Sequence, residues 1–186
     1  MKRLADIVIS VTLIVILWPL MLIIGLMIKI DSSGPIFYSH KKNGQPDYRL
    51  GKGAKLFYYF KFRSMYVNTE TVTKFGYFIR RWHLDELPEL FLVLIGNMSL
   101  VGPRPLPRGR VRRNIKCYYE SLKAKPGITG PIQINRNKNN TIEDVIIFNN
   151  WYADHLCFLT DLIIILKTPL AIIKQKEGAS STLSML

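Results

Sequence analysis

The stretch IVISVTLIVILWPLMLIIGLMI, residues 7–28, carries no charged side chain, and its reading decides the fold. Lys2, Arg3 and Asp6 bound it on one side, Lys29 and Asp31 on the other. At ~1.5 Å per residue, a straight helix of this length just crosses a ~30 Å hydrocarbon core. A cleaved signal peptide fits poorly, because the apolar run is long and leaves through Lys29-Ile30-Asp31 with no small-residue cleavage pattern. Pro19 lies midway, where it removes a backbone donor and favours a kink. Two arms of roughly 16 Å each would then enter one leaflet and return. Cations on both flanks deny the positive-inside rule its asymmetry, so physics leaves a spanning and a re-entrant helix both open.

The remaining residues suit one unit. A chain of 186 residues has room for one domain and an appendage. The expected division is a membrane-embedded helix at 1–30, a single domain at 31–177 and a frayed tail at 178–186. Lys and Arg number 26 against 13 Asp and Glu, a net charge of +13 that asks for anionic partners. Arg104, Arg108, Arg110, Arg112, Arg113, Lys116, Lys123 and Lys125 form the densest run. Beside an apolar anchor, a membrane surface is a better counterpart for it than nucleic acid. Cys117 and Cys157, like His40, His83 and His155, are too scattered for a zinc site.

Past the turn Asp31-Ser32-Ser33-Gly34-Pro35, Ile36–Tyr38 reads as a strand, Lys41 to Pro46 as a loop and Lys55 to Arg63 as an aromatic-rich strand. In that strand Lys61 and Arg63 share one face, which is either a phosphate grip or an ordinary solvated face. Apolar spacing predicts a helix over Phe75–Trp82 and another over Leu84–Ile95, the latter only if Pro88 lies in its first turn. Gly102-Pro103-Arg104-Pro105 predicts a rigid turn, and Arg110 to Lys125 a helix. Ile132 and Ile134 suggest a strand, Asn135 to Asn140 a loop, and the chain from Thr141 onward a return to helix. Trp151, Tyr152, Phe158 and Leu162–Leu166 give that last region an apolar face suited to a membrane interface or to a core.

Asp85 and Glu86 therefore fall at or just before a helix start. Two adjacent carboxylates resist joint ionisation unless positive charge is near, and Arg80, Arg81, the helix N-terminus or a divalent ion could supply it. Helical neighbours point roughly 100° apart, which suits one carboxylate to attack phosphorus and the other to hold metal or water. Acidic residues capping a helix are the plainer alternative.

Context favours chemistry. Thr73 to Arg80, Leu84-Asp85-Glu86-Leu87-Pro88-Glu89-Leu90 and Gly96 to Leu106 together resemble the central signature of the bacterial sugar transferases, the small monotopic phosphoglycosyl transferases. The resemblance reaches upstream to the anchor, Asp31–Phe37 and Lys61–Met65. Downstream it takes in Lys125–Gly130, Asp154, Asp161 and Thr168, so it covers nearly the whole chain. It implies an α+β fold: a re-entrant membrane helix broken at Pro19, then a small, mostly helical catalytic domain with short strands and interfacial amphipathic helices. It implies a ping-pong reaction in which Asp85 attacks the sugar-bearing phosphate of a UDP-sugar, releases UMP and passes the phosphosugar to polyprenol (undecaprenyl) phosphate. Asp85 and Glu86 would be the catalytic pair and the Mg²⁺ ligands, with Lys61, Arg63, Arg80, Arg104 and Pro105 as substrate-binding residues.

The implied place is the cytoplasmic face of a bacterial inner membrane, at the first membrane step of glycoconjugate assembly. The implied partners are phospholipids, with a homodimer or contact with downstream glycosyltransferases compatible and no nucleic acid. Departures from the family pattern are Trp18 where Ser is common, Trp82-His83 for Thr-Ser, Asn97 for Asp and Pro131 for Trp, together with Asn135-Arg136 lacking an intervening glycine. The last two bear on sugar preference. Two rivals make distinct expectations: an inactive homologue or scaffold releases no UMP, and a nucleic-acid-binding membrane protein shows steeply salt-dependent affinity with no need of Asp85.

Overall fold

A computed structural model of the protein describes residues 2–39, 46–67, 69, 71–109, 115–135 and 141–183. His40, the loop expected from Lys41 (save Pro46), the arginines at 110, 112 and 113, and the loop from Arg136 to Asn140 lie outside the described residues. The elements are α1 (Lys2–Asp31), β1 (Phe37–Tyr38), β2 (Tyr48–Leu50), β3 (Leu56–Tyr58), β4 (Lys61–Phe62), α2 (Lys74–Arg81), α3 (Glu89–Leu94), β5 (Ser99–Val101), β6 (Leu106–Pro107), β7 (Gly127–Thr129), α4 (Pro131–Ile134), α5 (Ile142–Asp154) and α6 (Phe158–Leu183). Helix and short strand are thus mixed, with helix dominant. Contacts divide the chain into two units, Met1–Arg49 with Phe57–Asn97 and Leu50–Leu56 with Met98–Leu186.

In the first unit α1 is the one described helix long and apolar enough to cross a membrane. Its burial is uneven along its length. Asp6 and Ser10 are buried near one end and Ile24, Gly25 and Ile28 near the other, while Val15, Ile16, Trp18, Leu22 and Ile23 lie exposed between. Both ends meet the same unit. At the start, the Arg3 guanidinium donates to the carbonyls of Val93 (2.5 Å) and Leu94 (2.6 Å), which closes the C-terminus of α3 with a cation. Toward the finish, Ile24 and Ile28 join Phe62 and Ile79 in a core cluster, with Leu84 and Leu87 packed against it. Burying each such side chain contributes about 1.5–3 kcal/mol.

The aromatic strand expected over Lys55–Arg63 is broken into β3 and β4. β4 pairs antiparallel with β1, Phe37 opposite Phe62 and Tyr38 opposite Lys61. Between the two strands, Tyr59 turns its ring inward under the Arg49 guanidinium, 4.6 Å from the ring centre, and its backbone N–H goes to Asp47. α2 starts where expected, capped by Thr73, whose hydroxyl accepts from Gly76 N. A Cβ at Gly76 would lie 2.1 Å from the Ser64 carbonyl oxygen, so only glycine lets α2 approach β4's exit this closely.

The helix expected over Leu84–Ile95 is instead a 3₁₀ turn, Leu84–Glu86, followed by the shorter α3. Pro88 accounts for the split: lacking an N–H, it cannot bond Leu84 O, and Leu87 N takes that carbonyl at 3.3 Å.

The second unit is built on the parallel pair β5 and β7, Ser99 opposite Gly127 and Val101 opposite Thr129. Gly102 and Gly127 touch backbone to backbone: a Cβ at Gly127 would sit 2.1 Å from Gly102 N. Gly102 N donates to Thr129 O and Gly127 N to Pro103 O, so the Gly102–Pro105 and Lys125–Gly130 segments brace each other. The expected strand at Ile132 and Ile134 is helix α4. Pro131 opens it, its fixed φ suiting the first helical position, and strand pairing falls three residues earlier.

Within Arg110–Lys125 the described part holds 3₁₀ turns, Ile115–Tyr118 and Ser121–Lys123, in place of an α-helix. Thr141 and Asp144 form a reciprocal capping box at the start of α5. The backbone of α6 stays helical through Leu183, past the point where a frayed tail was expected. Asp161 and Thr168 tie α6 down. The Tyr152 hydroxyl donates to Asp161 (2.6 Å), and Thr129 donates to Thr168 (2.7 Å), whose own hydroxyl goes to Ile164 O.

Candidate active site

Three neighbouring pieces of the first unit assemble one site. β4 projects Lys61, the 3₁₀ turn carries Asp85 and Glu86, and the first turn of α3 supplies Glu89. Lys61 Nζ lies 2.5 Å from Asp85 Oδ2, with the Asp85 side chain 4% and the Lys61 side chain 21% exposed. A carboxylate this buried needs such a partner, and the ammonium remains open to solvent on its other side.

Glu86 is less enclosed, at 22%, and its Oε2 lies 3.5 Å from His83 Nδ1. His83 occupies the left-handed region, φ 54° and ψ 22°, which non-glycine residues seldom adopt. That conformation reverses the chain between α2 and the acidic turn, and strain of this kind is tolerated where it orients functional groups.

Beneath the pair, Glu89 is 2% exposed and accepts from the Tyr59 hydroxyl at 2.5 Å. Desolvation first, and the nearby Glu86 charge second, push the Glu89 carboxyl up to about 8. Tyr59 is raised as well, by burial and then by Glu89. Around neutral pH the floor of the site therefore holds a protonated carboxyl, which lessens the like charge beside Asp85 and Glu86. Sequence reading missed both residues. The signal was a carboxylate one turn past Asp85, on the same side as the buried Leu90 and Val93, where a solvated Glu has no place.

The other expected residues separate. Arg80, in the last turn of α2, donates Nε to Ser64 Oγ at 2.7 Å, and its terminal nitrogens make no bond among the described residues. Arg63 is buried and committed elsewhere: it donates to Pro35 O (2.6 Å), Ser32 Oγ (2.8 Å) and Ser32 O (2.8 Å), and so secures the chain leaving α1. Its neighbour Lys61 alone of the basic strand pair reaches the carboxylates. In the second unit, Asn149 Oδ1 accepts from the Arg104 backbone N–H (3.0 Å), and the Arg104 side chain is half-buried without a bond among the described residues. Pro105 follows it in the braced turn. Pro19 lies in the exposed middle of α1.

No group of three or more His, Cys, Asp or Glu side chains that could hold a metal ion occurs among the described residues. Asp85 and Glu86 offer carboxylate oxygens, the donor type Mg²⁺ takes, as one or two carboxylates together with substrate phosphates and waters.

Residues 1–175 match the sequence family described as bacterial sugar transferase. An undecaprenyl-phosphate galactose phosphotransferase of Salmonella typhimurium (strain LT2) is 33% identical over 96% of the chain and 41% of its own length. A UDP-glucose:undecaprenyl-phosphate glucose-1-phosphate transferase of Xanthomonas campestris pv. campestris is 39% identical over 76% of the chain and 31% of its own length. A UDP-N-acetylgalactosamine-undecaprenyl-phosphate N-acetylgalactosaminephosphotransferase of Aeromonas hydrophila is 35% identical over 90% of the chain and 42% of its own length. The chain thus spans roughly a third to two fifths of the length of these relatives.

Proposed function

The chain belongs to the bacterial sugar transferase family, and from that premise we propose that it transfers a phosphosugar from a UDP-sugar to undecaprenyl phosphate, with Asp85 as nucleophile. The observation that carries the reading is the buried Lys61–Asp85 pair beside the more open Glu86. A buried ion pair is weak evidence for stability alone, whereas an enclosed carboxylate held by a lysine, beside a second, more open carboxylate and a Glu89 carboxyl pushed up by burial, has the make-up of a chemical site.

The steps follow from these groups. The incoming diphosphate draws the Lys61 ammonium toward itself and frees Asp85 Oδ2. That oxygen attacks the sugar-bearing phosphorus, the bond to the bridging oxygen breaks, and the electron pair leaves with UMP. An oxygen of undecaprenyl phosphate then attacks the same phosphorus, and the Asp85 carboxylate leaves restored. Lys61 and the free terminal nitrogens of Arg80 offset the phosphate charge. Arg63 acts by positioning: it fixes the end of α1 against β4. Glu86, with Asp85, would hold Mg²⁺. When bound, the ion supplies positive charge to the diphosphate and its leaving group.

The arrangement of α1 fits a re-entrant entry into a bacterial cytoplasmic membrane. Both of its ends are fastened to the unit that bears Asp85, by Arg3 on α3 and by Ile24 and Ile28 on β4 and α2. A straight 30-residue helix is ~45 Å long, so ends held on one unit favour a bend, and Pro19, where a kink would fall, lies in the exposed stretch between them. The catalytic face would then be cytoplasmic, where UDP-sugars are made.

The relatives' names carry galactose, glucose and N-acetylgalactosamine, so the sugar is the variable in the test. Purified protein with Mg²⁺ is offered a panel of UDP-sugars, with and without undecaprenyl phosphate. Without acceptor, one UDP-sugar should release UMP to the stoichiometry of enzyme and add one phosphosugar to the peptide containing Asp85; Asp85→Asn should do neither. Adduct formation by Asp85→Asn, or turnover only in a ternary complex with no adduct, would overturn the nucleophile assignment.

A further inference from the structure

In the second unit a cavity of about 470 Å³ opens among α4, α5 and α6. Its walls are Ile134, Ile147, Phe148, Trp151 and Ile163, and its one charged lining residue is Lys167. No acidic side chain lines it, and Lys167 has no hydrogen bond or ion pair among the described residues. The cavity is no sealed packing defect, since Ile147 is 62% and Trp151 44% exposed at its rim. An open apolar groove of this size in water would carry a large hydrophobic penalty, so an occupant of hydrocarbon character is expected.

Three observations identify the occupant's chemistry. The groove is continuous with an apolar helix surface: beyond it, Phe158, Leu159, Leu166 and Leu170 of α6 are all exposed. An exposed apolar helix face of this extent belongs in a core or in lipid, and no described residue covers these four side chains. Trp151, stacked on His155 with ring centres 4.7 Å apart, supplies the flat amphipathic ring typical of the membrane–water boundary. Lys167 places an unneutralised cation where a hydrocarbon chain entering the groove would carry its headgroup, and a lysine stem runs along apolar surface while its ammonium seeks phosphate.

We propose that this groove binds one acyl chain of an anionic membrane phospholipid, with the headgroup phosphate paired to Lys167. The site would seat the second unit on the membrane through a bound lipid. It rests on membrane association, not on the chemistry assigned to Asp85.

The test uses the full chain in nanodiscs doped with phosphatidylglycerol bearing a photoactivatable group on its acyl chain, in parallel with the same probe built on phosphatidylcholine. Crosslinks from the phosphatidylglycerol probe should map to the peptides carrying Trp151 and Ile163, and exceed those from phosphatidylcholine. Lys167→Gln should lower their yield about fivefold, the worth of one interfacial cation. Lys167 is exposed, so the variant should fold, and its phosphosugar adduct at Asp85 should be unchanged. Equal labelling by the two probes, or labelling indifferent to Lys167→Gln, would overturn the proposal. So would loss of the signal to undecaprenyl phosphate at concentrations where unlabelled phosphatidylglycerol does not compete, an outcome that assigns the groove to the isoprenoid acceptor.

Discussion

Glu89 joins the electrostatics of the site to the stability of the fold. Its carboxyl is held near about 8 by burial and by the Glu86 charge, against ~4.3 for a free glutamate. The unfolded chain releases this proton near ~4.3, whereas the native chain keeps it until about 8. Between those values the native state binds more protons than the unfolded state. Its contribution is complete in acid, declines as pH rises through that window, and levels off above it. Glu89→Gln removes the titration and leaves a carbonyl oxygen for the Tyr59 hydroxyl. The melting temperature of the variant should therefore fall less between about pH 5 and about pH 8 than that of the parent, whereas parallel profiles would mean that Glu89 ionises as an ordinary glutamate. The same proton keeps a third negative charge away from Asp85 and Glu86, where the proposed UDP-sugar would approach.

At the scale of elements, close backbone approach is what fixes the site's frame. Gly76 lets α2 lie on the Ser64 carbonyl, the residue whose hydroxyl also receives Arg80. A methyl group there must push α2 off β4 and with it the His83 reversal that aims Asp85. Gly76→Ala should cost ~1–3 kcal/mol of stability, the usual penalty of overpacking, despite alanine's better helix propensity. Thermal unfolding reads this, and an unchanged or higher melting temperature would show that α2 can shift freely.

Elements of this kind were unevenly legible in the sequence. The apolar run of α1, the amphipathic spacing of α2 and the return to helix at Thr141 each write a local pattern, and their starts were read to within a residue or two. The break of the 55–63 strand at Tyr59 and the helical turn at Pro131–Ile134 depend on partners distant in sequence, Asp47 and Glu89 for the first and the β5–β7 pairing for the second. The acidic pair was legible because adjacent carboxylates are chemically conspicuous. The role of Arg63 was not, since a cation on a strand looks the same whether it meets a phosphate or the carbonyls of Ser32 and Pro35.

For the molecule as a whole, the decisive question is how α1 enters the bilayer. The helix carries 30 residues, enough at ~1.5 Å each to cross it with length to spare, so length alone favours a span. Its attachments argue otherwise. Arg3 is bonded to the C-terminus of α3, and Ile28 is packed with Phe62 and Ile79, so both ends belong with the unit that carries Asp85. A span would leave one set of these contacts on the far side of the membrane, exposing the α3 carbonyls and separating Asp6 and Ser10 from the surface that buries them. In a background with Cys117 and Cys157 replaced, Lys2→Cys and Lys29→Cys should both resist a membrane-impermeant thiol reagent in intact cells and both react in inverted vesicles. Pro19→Leu, which restores the missing backbone donor and removes the ring clash, should shift a fraction of molecules to the spanning form. That fraction should show Lys2→Cys labelled from outside and should have lost adduct formation at Asp85. Labelling of either position from outside in the unaltered helix would mean that α1 spans the membrane, and that the bond from Arg3 to α3 does not persist in the bilayer.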